Sequence, residues 1–252
     1  MDRALKTGMK ITLLRRTSRV AIRVFLTAVA VLTLGLRVAP AQDTHEEIWP
    51  ELDTYVRLAS KTRLFFSFRP IISADDRSFS ESQLGANIEF EFAPMRNIDL
   101  TDSPDRDKYH HLRARLGYWE ARSHDVSGAG VTERRIVTEL TPRASLPFET
   151  LLSVRNRFEL RWLDGDDAWR FRLYPKLQRD TPIGSVTFTP YAAVEFFYDS
   201  RFDEWNRTRY QVGVSVPAAK WIVPEVYYAR QEDRKPVKKY VNILGLKITL
   251  HF

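Results

Sequence analysis

The chain closes with YVNILGLKITLHF, residues 240–252. Leu244, Leu246, Ile248, Leu250 and Phe252 take every second position, and Gly245, Lys247, Thr249 and His251 fill the gaps. A period of two is the mark of a strand with one apolar face. Chain ends are normally frayed, so a strand patterned to its last residue requires a partner. In a closed barrel the final strand meets the first and no edge is left exposed.

The same rhythm runs back through the chain. LGANIEFEF (84–92) sets Leu84, Ala86, Ile88, Phe90 and Phe92 against Asn87, Glu89 and Glu91. LRARLGY (112–118) sets Leu112, Ala114, Leu116 and Tyr118 against Arg113 and Arg115. LSVRNRFELR (152–161) and WRFRLY (169–174) alternate in the same way. With 52–59, 62–69, 134–141, 188–198, 206–216, 221–231 and 240–252 this makes eleven candidate strands, most of them 8–11 residues long. A tilted transmembrane strand needs about 9–11 residues, whereas ordinary strands cluster near 5–6. Charged and turn-forming stretches such as SHDVSGAG, LDGDDA, DSRFDE and QEDRKP separate them. No segment carries a helical period.

A soluble β-sandwich also alternates. Three features favour an all-β, single transmembrane up-and-down barrel. The polar faces are dominated by Arg and Glu, as suits the inside of a membrane barrel. The six tryptophans, Trp49, Trp119, Trp162, Trp169, Trp205 and Trp221, read as lying at strand ends, as do Tyr109, Tyr118, Tyr174, Tyr198 and Tyr240. Girdles at the two membrane interfaces produce that placement. The patterned C-terminus is the third.

The whole chain holds 39 Lys+Arg against 32 Asp+Glu. Residues 1–41 contain eight basic residues and one acid, so the remainder carries 31 of each and no net charge. A nucleic-acid binder needs a basic domain, and the body is not one. The absence of cysteine excludes disulfides and thiolate chemistry. The first segment has a basic region to Arg23, the uncharged run Val24–Leu36, and small residues at Ala39 and Ala41. That is the build of a signal peptide cleaved after Ala41, for the general secretory route, leaving 42–252 as the barrel. The apolar run of 13 residues is short of the roughly 20 that a membrane anchor needs. Met9 is an alternative start.

Leu246, Ile248, Leu250 and Phe252 resemble the terminal signature by which the outer-membrane assembly machinery of Gram-negative bacteria recognises its clients. WPELDTYVRL, LRARLGYWEAR, ERRIVTELTPR, VRNRFELRW, WRFRLYPKL, PYAAVEFFYD, NRTRYQVGVSV and NILGLKITLHF follow one another along the body. Through these stretches, in that order, the body from about Trp49 to Phe252 resembles the bacterial outer-membrane family DUF2490. It implies an outer-membrane barrel of unknown activity, in contact with membrane lipid and lipopolysaccharide, and supplies no catalytic residues. Single-chain bacterial barrels have an even strand count. The expectation is therefore twelve strands, with ten as the alternative and a hidden strand within 94–110 or 176–190. QEDRKPVKK, DSRFDEW, LDGDDA and ARSHDVSGAG would face outward and VPAAK would be a periplasmic turn.

Alternation assigns Arg57, Arg63, Arg69, Arg113, Arg115, Arg135, Arg155, Arg157, Arg161, Arg170, Arg172, Arg207, Arg209 and Lys247 to the lumen. The acids on the same side are Asp53, Glu89, Glu91, Glu139, Glu159, Glu195 and Glu225. The remaining acids fall mainly in the loops. Two readings follow: Arg and Glu interlock across a closed lumen as a structural core, or they line a narrow channel that favours a small anionic solute. Neither needs a cofactor or a metal. A lipid-modifying membrane enzyme is the weaker alternative, because His124, Asp125 and Ser127 sit in a Gly-containing loop and His110-His111 precedes a strand. The barrel is accordingly read as no enzyme and as having no nucleic-acid partner.

Overall fold

A computed structural model of the protein describes residues 44–75, 78–92, 112–123, 130–163, 165–184, 186–235 and 239–252. Residues 1–41, read from the sequence as a signal peptide, and the histidines at 110, 111 and 124, with Ser127, lie outside the described residues. The strands are β1 (Thr44–Ala59), β2 (Thr62–Ser73), β3 (Phe79–Phe92), β4 (Leu112–Ser123), β5 (Thr132–Leu146), β6 (Thr150–Leu163), β7 (Asp166–Arg179), β8 (Thr181–Ile183), β9 (Val186–Asp199), β10 (Glu204–Ser215), β11 (Ile222–Asp233) and β12 (Lys239–His251). Each of the eleven segments read from the alternation falls on one long strand, to within a residue at its ends. The long strands run from 12 to 16 residues, beyond what a tilted crossing requires.

Sequential neighbours pair antiparallel, and β12 closes the ring on β1. The expected twelve-stave barrel is not confirmed, although a further strand, β8, does lie within 176–190. Among the described residues the barrel has eleven staves; β8 is a three-residue strand that pairs only with β9. The segment 94–110, one proposed hiding place for a further strand, lies outside the described residues. The even rule presumes that both chain ends meet at one mouth. Here β1 and β12 run parallel, in register from Thr44↔Tyr240 to Tyr55↔His251. The seam continues to the last residue: Phe252 N–H donates to the Tyr55 carbonyl at 2.8 Å, and Arg57 N–H donates to the Phe252 carbonyl at 2.8 Å. β1 therefore starts at one mouth, termed N-terminal, and β12 ends at the other, termed C-terminal. The connections β4/β5, β6/β7, β9/β10 and β11/β12 share the N-terminal mouth, and VPAAK joins β10 to β11 at the C-terminal one.

The apolar side chains face out. One outward row runs Val56–Leu64–Ile88–Leu116–Thr138–Phe158–Phe171–Tyr198 across eight neighbouring strands. Leu84 is 60% exposed and Leu116 is 51% exposed. Such a band would be a liability in water and matches hydrocarbon. Trp162, Trp169 and Trp205 stand exposed toward the N-terminal mouth and Trp221 toward the C-terminal one. Trp169 stacks on Tyr198 at 5.1 Å, and Trp205 meets Tyr198 edge-on at 5.8 Å.

Trp49 and Trp119 do not belong to the girdle; both are buried inside the barrel. Their parity decides it, because the outward positions of β1 and β4 are even-numbered. β4 also extends past Trp119 to Ser123, so this residue is not at a strand end. Nor is the interior uniformly polar. Trp49, Tyr191, Tyr227, Ala229, Val241 and Ile243 pack as an apolar cluster along β9, β11, β12 and β1. One lateral row there alternates aromatic with glycine: Tyr191–Gly213–Tyr227–Gly245–Trp49. A β-carbon on Gly213 would stand 2.7 Å from the Tyr191 ring and the Tyr227 Cβ, and one on Gly245 would enter the Tyr227 ring. Bare backbone is what lets the rings lie flat on the wall.

Candidate functional site

The lumen opposite that cluster is a charged wall. Because register is kept from strand to strand, the inward positions align in rows. One runs Arg63–Glu89–Arg115–Glu139–Arg157–Arg172–Phe197–Arg207–Asp233 through β2, β3, β4, β5, β6, β7, β9, β10 and β11. Sign alternates over its first five members, so each carboxylate lies between two guanidiniums.

Three carboxylates are each gripped by three arginines. Glu89, fully buried, accepts from Arg63 Nε at 3.0 Å, Arg115 Nε at 3.1 Å and Arg115 Nη2 at 2.5 Å, with Arg113 Nε at 3.4 Å. Glu159, also fully buried, holds Arg170 Nε at 2.7 Å, Arg172 Nη1 at 3.1 Å and Arg157 Nε at 2.7 Å. Glu195 holds Arg155 Nη2 at 2.7 Å, Arg172 Nε at 2.9 Å and Arg209 Nη1 at 3.3 Å. Arg172 thus bridges Glu159 and Glu195. Glu139 is looser, with Arg115 at 3.4 Å, Arg157 at 3.9 Å and Arg155 at 4.0 Å. Glu91 pairs with Arg63 at 2.9 Å, and Glu225 pairs with Lys247 at 3.0 Å while accepting from Tyr191 OH at 2.6 Å. Buried charge is tolerable only in such company, since an unpaired ion inside costs several kcal/mol.

The sequence-assigned lumen residues are brought together, with one exception: Arg57 is exposed. Four acids counted with the loops or overlooked also belong inside. Glu133 is shared by Arg135, at 2.7 Å, and Arg161. Asp199 takes Arg161 Nη1 at 2.6 Å and Arg201 Nε at 2.9 Å. Asp233 takes Arg207 and the Gln231 amide, and Glu51 takes Arg69 Nη2 at 2.6 Å and the Tyr227 hydroxyl. Alternation misses them because the strands run one to eight residues further than the alternating segments, to Thr44, Thr132, Asp199 and Asp233. In the turn between β9 and β10, the hydrogen bonds to Asp199 hold the Arg201 guanidinium more firmly protonated than usual.

Two cavities remain between these side chains. The wider, about 470 Å3, opens toward the N-terminal mouth, and the narrower, about 220 Å3, lies toward the C-terminal one. Trp49, Arg69, Gln83, Arg172 and Arg209 line both. At this waist the Trp49 ring sits between Arg209, at 4.6 Å, and Arg69, at 5.1 Å. Both cations also hold carboxylates, so the ring is fixed by two anchored guanidiniums. Trp49 and Tyr227 were the functional side chains that alternation alone could not single out. Their signal was the glycine at the matching inward position of the next strand.

A family profile described as "Protein of unknown function (DUF2490)" matches residues 49–242. The chain belongs to the DUF2490 family. Solved structures similar to this DUF2490 protein include the following two. The β domain of the Bordetella autotransporter BrkA is 14% identical with a TM-score of 0.42, the match covering 75% of this chain and 82% of that one. The anion-selective porin from Comamonas acidovorans is 12% identical with a TM-score of 0.36, covering 76% of this chain and 53% of that one. No functionally curated protein matches the chain.

Proposed function

We propose that this DUF2490 protein is an outer-membrane barrel of a Gram-negative bacterium whose lumen is an interlocked arginine–carboxylate core. The single observation that carries the reading is the threefold grip on Glu89, Glu159 and Glu195. Guanidiniums from β2, β4, β6, β7 and β10 reach across neighbouring staves and tie them together through shared carboxylates. The apolar outer band, the aromatic residues near both mouths and the strand that is paired to its final residue support the membrane setting. The chain is exported by the general secretory route, handed to the barrel-assembly machinery through Leu246, Ile248, Leu250 and Phe252, and packed against lipid and lipopolysaccharide. Catalysis is no part of this reading.

A narrow anion-favouring channel is the second reading. The waist residues common to both cavities favour it, because displacing one ring would join them into a path lined by arginine. Planar-bilayer recording decides between the two. The interlocked core gives no resolved steps; anion-selective steps in the unaltered protein would overturn it in favour of the channel.

A further inference from the structure

We infer that the wider cavity is a binding site for a small soluble polyanion, one carrying at least two carboxylate or phosphate groups. The inference deepens the reading of the lumen given above. Its first support is charge. Among the described residues the cavity is lined by ten basic and five acidic side chains. Its volume, about 470 Å3, is within the range of pockets that enclose small molecules.

The second support is how the arginines are held. Arg135 grips Glu133 with Nε at 2.7 Å and Nη2 at 2.8 Å. Arg170 grips Glu159 with Nε at 2.7 Å and Nη2 at 2.5 Å. Arg201 grips Asp199 with Nε at 2.9 Å and Nη2 at 2.8 Å, and Arg207 takes Asp233 through the same two nitrogens. In all four the carboxylate occupies one edge of the guanidinium. Nη1 is left without a hydrogen-bond partner among the described residues, and all four side chains line this cavity. They come from β5, β7, the β9/β10 turn and β10, neighbouring staves along one wall of the space, so the spare donor edges lie within reach of a single ligand. A guanidinium fixed along one edge presents the other edge at little entropic cost, and that planar edge suits carboxylate or phosphate. Among the described residues Lys235 and Lys239 add two cations at the rim with no ion pair. A monovalent anion uses one such donor edge; a polyanion spans several.

The test is isothermal titration calorimetry of the detergent-solubilised full chain with chloride, citrate and pyrophosphate. Citrate and pyrophosphate are expected to bind saturably and chloride not to compete at equal concentration. Arg201→Gln with Arg207→Gln is expected to weaken pyrophosphate by about tenfold or more, as for the loss of charge-assisted hydrogen bonds. These two side chains are 38% and 31% exposed, and their carboxylates keep Arg161 and Gln231 as donors, so the barrel is expected to fold. Heat-modifiable gel mobility checks that. Arg143→Gln, which lines the narrower cavity and not the wider one, is expected to leave the affinity unchanged. No saturable binding by the folded barrel, or equal affinity in the double variant, overturns the inference and leaves the interlocked core standing. A chain that shows no heat-modifiable form sinks both.

Discussion

Tyr227 on β11 lays its ring over Gly245 on β12, in the space where any other residue would carry its β-carbon. The ring is buried and its hydroxyl reaches Glu51 on β1. One aromatic side chain thereby spans three staves across the seam.

Gly245→Ala is expected to destabilise the barrel by about 1–3 kcal/mol, the cost of forcing a methyl into a packed interior. The penalty is expected to shrink in the Gly245→Ala/Tyr227→Ala double variant, since the clash leaves with the ring. Urea unfolding in detergent, followed by the loss of the heat-modifiable form, measures both.

Glu159→Gln is expected to cost about 3–5 kcal/mol, because Arg157, Arg170 and Arg172 lose the anion between them. Glu120→Gln, on the outer face, loses an exposed pair with Arg122 and is expected to change stability by less than about 1 kcal/mol. Equal unfolding midpoints for the two variants would contradict the interlocked core.

Trp49→Ala removes the ring between Arg69 and Arg209 and is expected to join the two cavities that these residues line. The variant is expected to show conductance steps in planar bilayers that the unaltered protein lacks. Reversal potentials in a chloride gradient are expected to show anion preference, set by the surplus of arginine along the opened path.

Deletion of Ile248–Phe252 removes the seam contacts from Leu52↔Ile248 to the Phe252 bonds with Tyr55 and Arg57. In the proposed membrane setting the edge so exposed would be unpaired backbone in lipid, which costs several kcal/mol per group. The truncated chain is expected to fail assembly in membranes and be degraded, whereas Phe252→Tyr is expected to assemble. Immunoblots of outer-membrane fractions compare them.

Much of this architecture was legible in the residues. Side-chain period is a local property of a strand, so LGANIEFEF and LSVRNRFELR announced their faces without any knowledge of their neighbours. The lumen arginines followed from the same parity. What alternation could not convey was anything set by two strands at once. Asp199 and Asp233 looked like loop acids because a strand's end depends on its partner's length. Trp49 and Trp119 looked interfacial because nothing in a single strand says that Gly245 and Gly85 leave room for them. The strand number is a different case: all eleven long strands are visible as alternating segments, whereas an even count presumes chain ends at one mouth, and the parallel β1/β12 seam departs from that.

The parallel seam carries a topological consequence. Antiparallel hairpins take the polypeptide across and back, so ten of the eleven staves can be delivered as five returning pairs. The last has no return partner. In the proposed membrane setting, the compartment that holds Phe252 is opposite the one faced by the start of β1, and epitopes fused ahead of Thr44 and behind Phe252 are expected to be labelled by antibodies from opposite sides of the bilayer. Insertion would then carry one end of the barrel across unaccompanied.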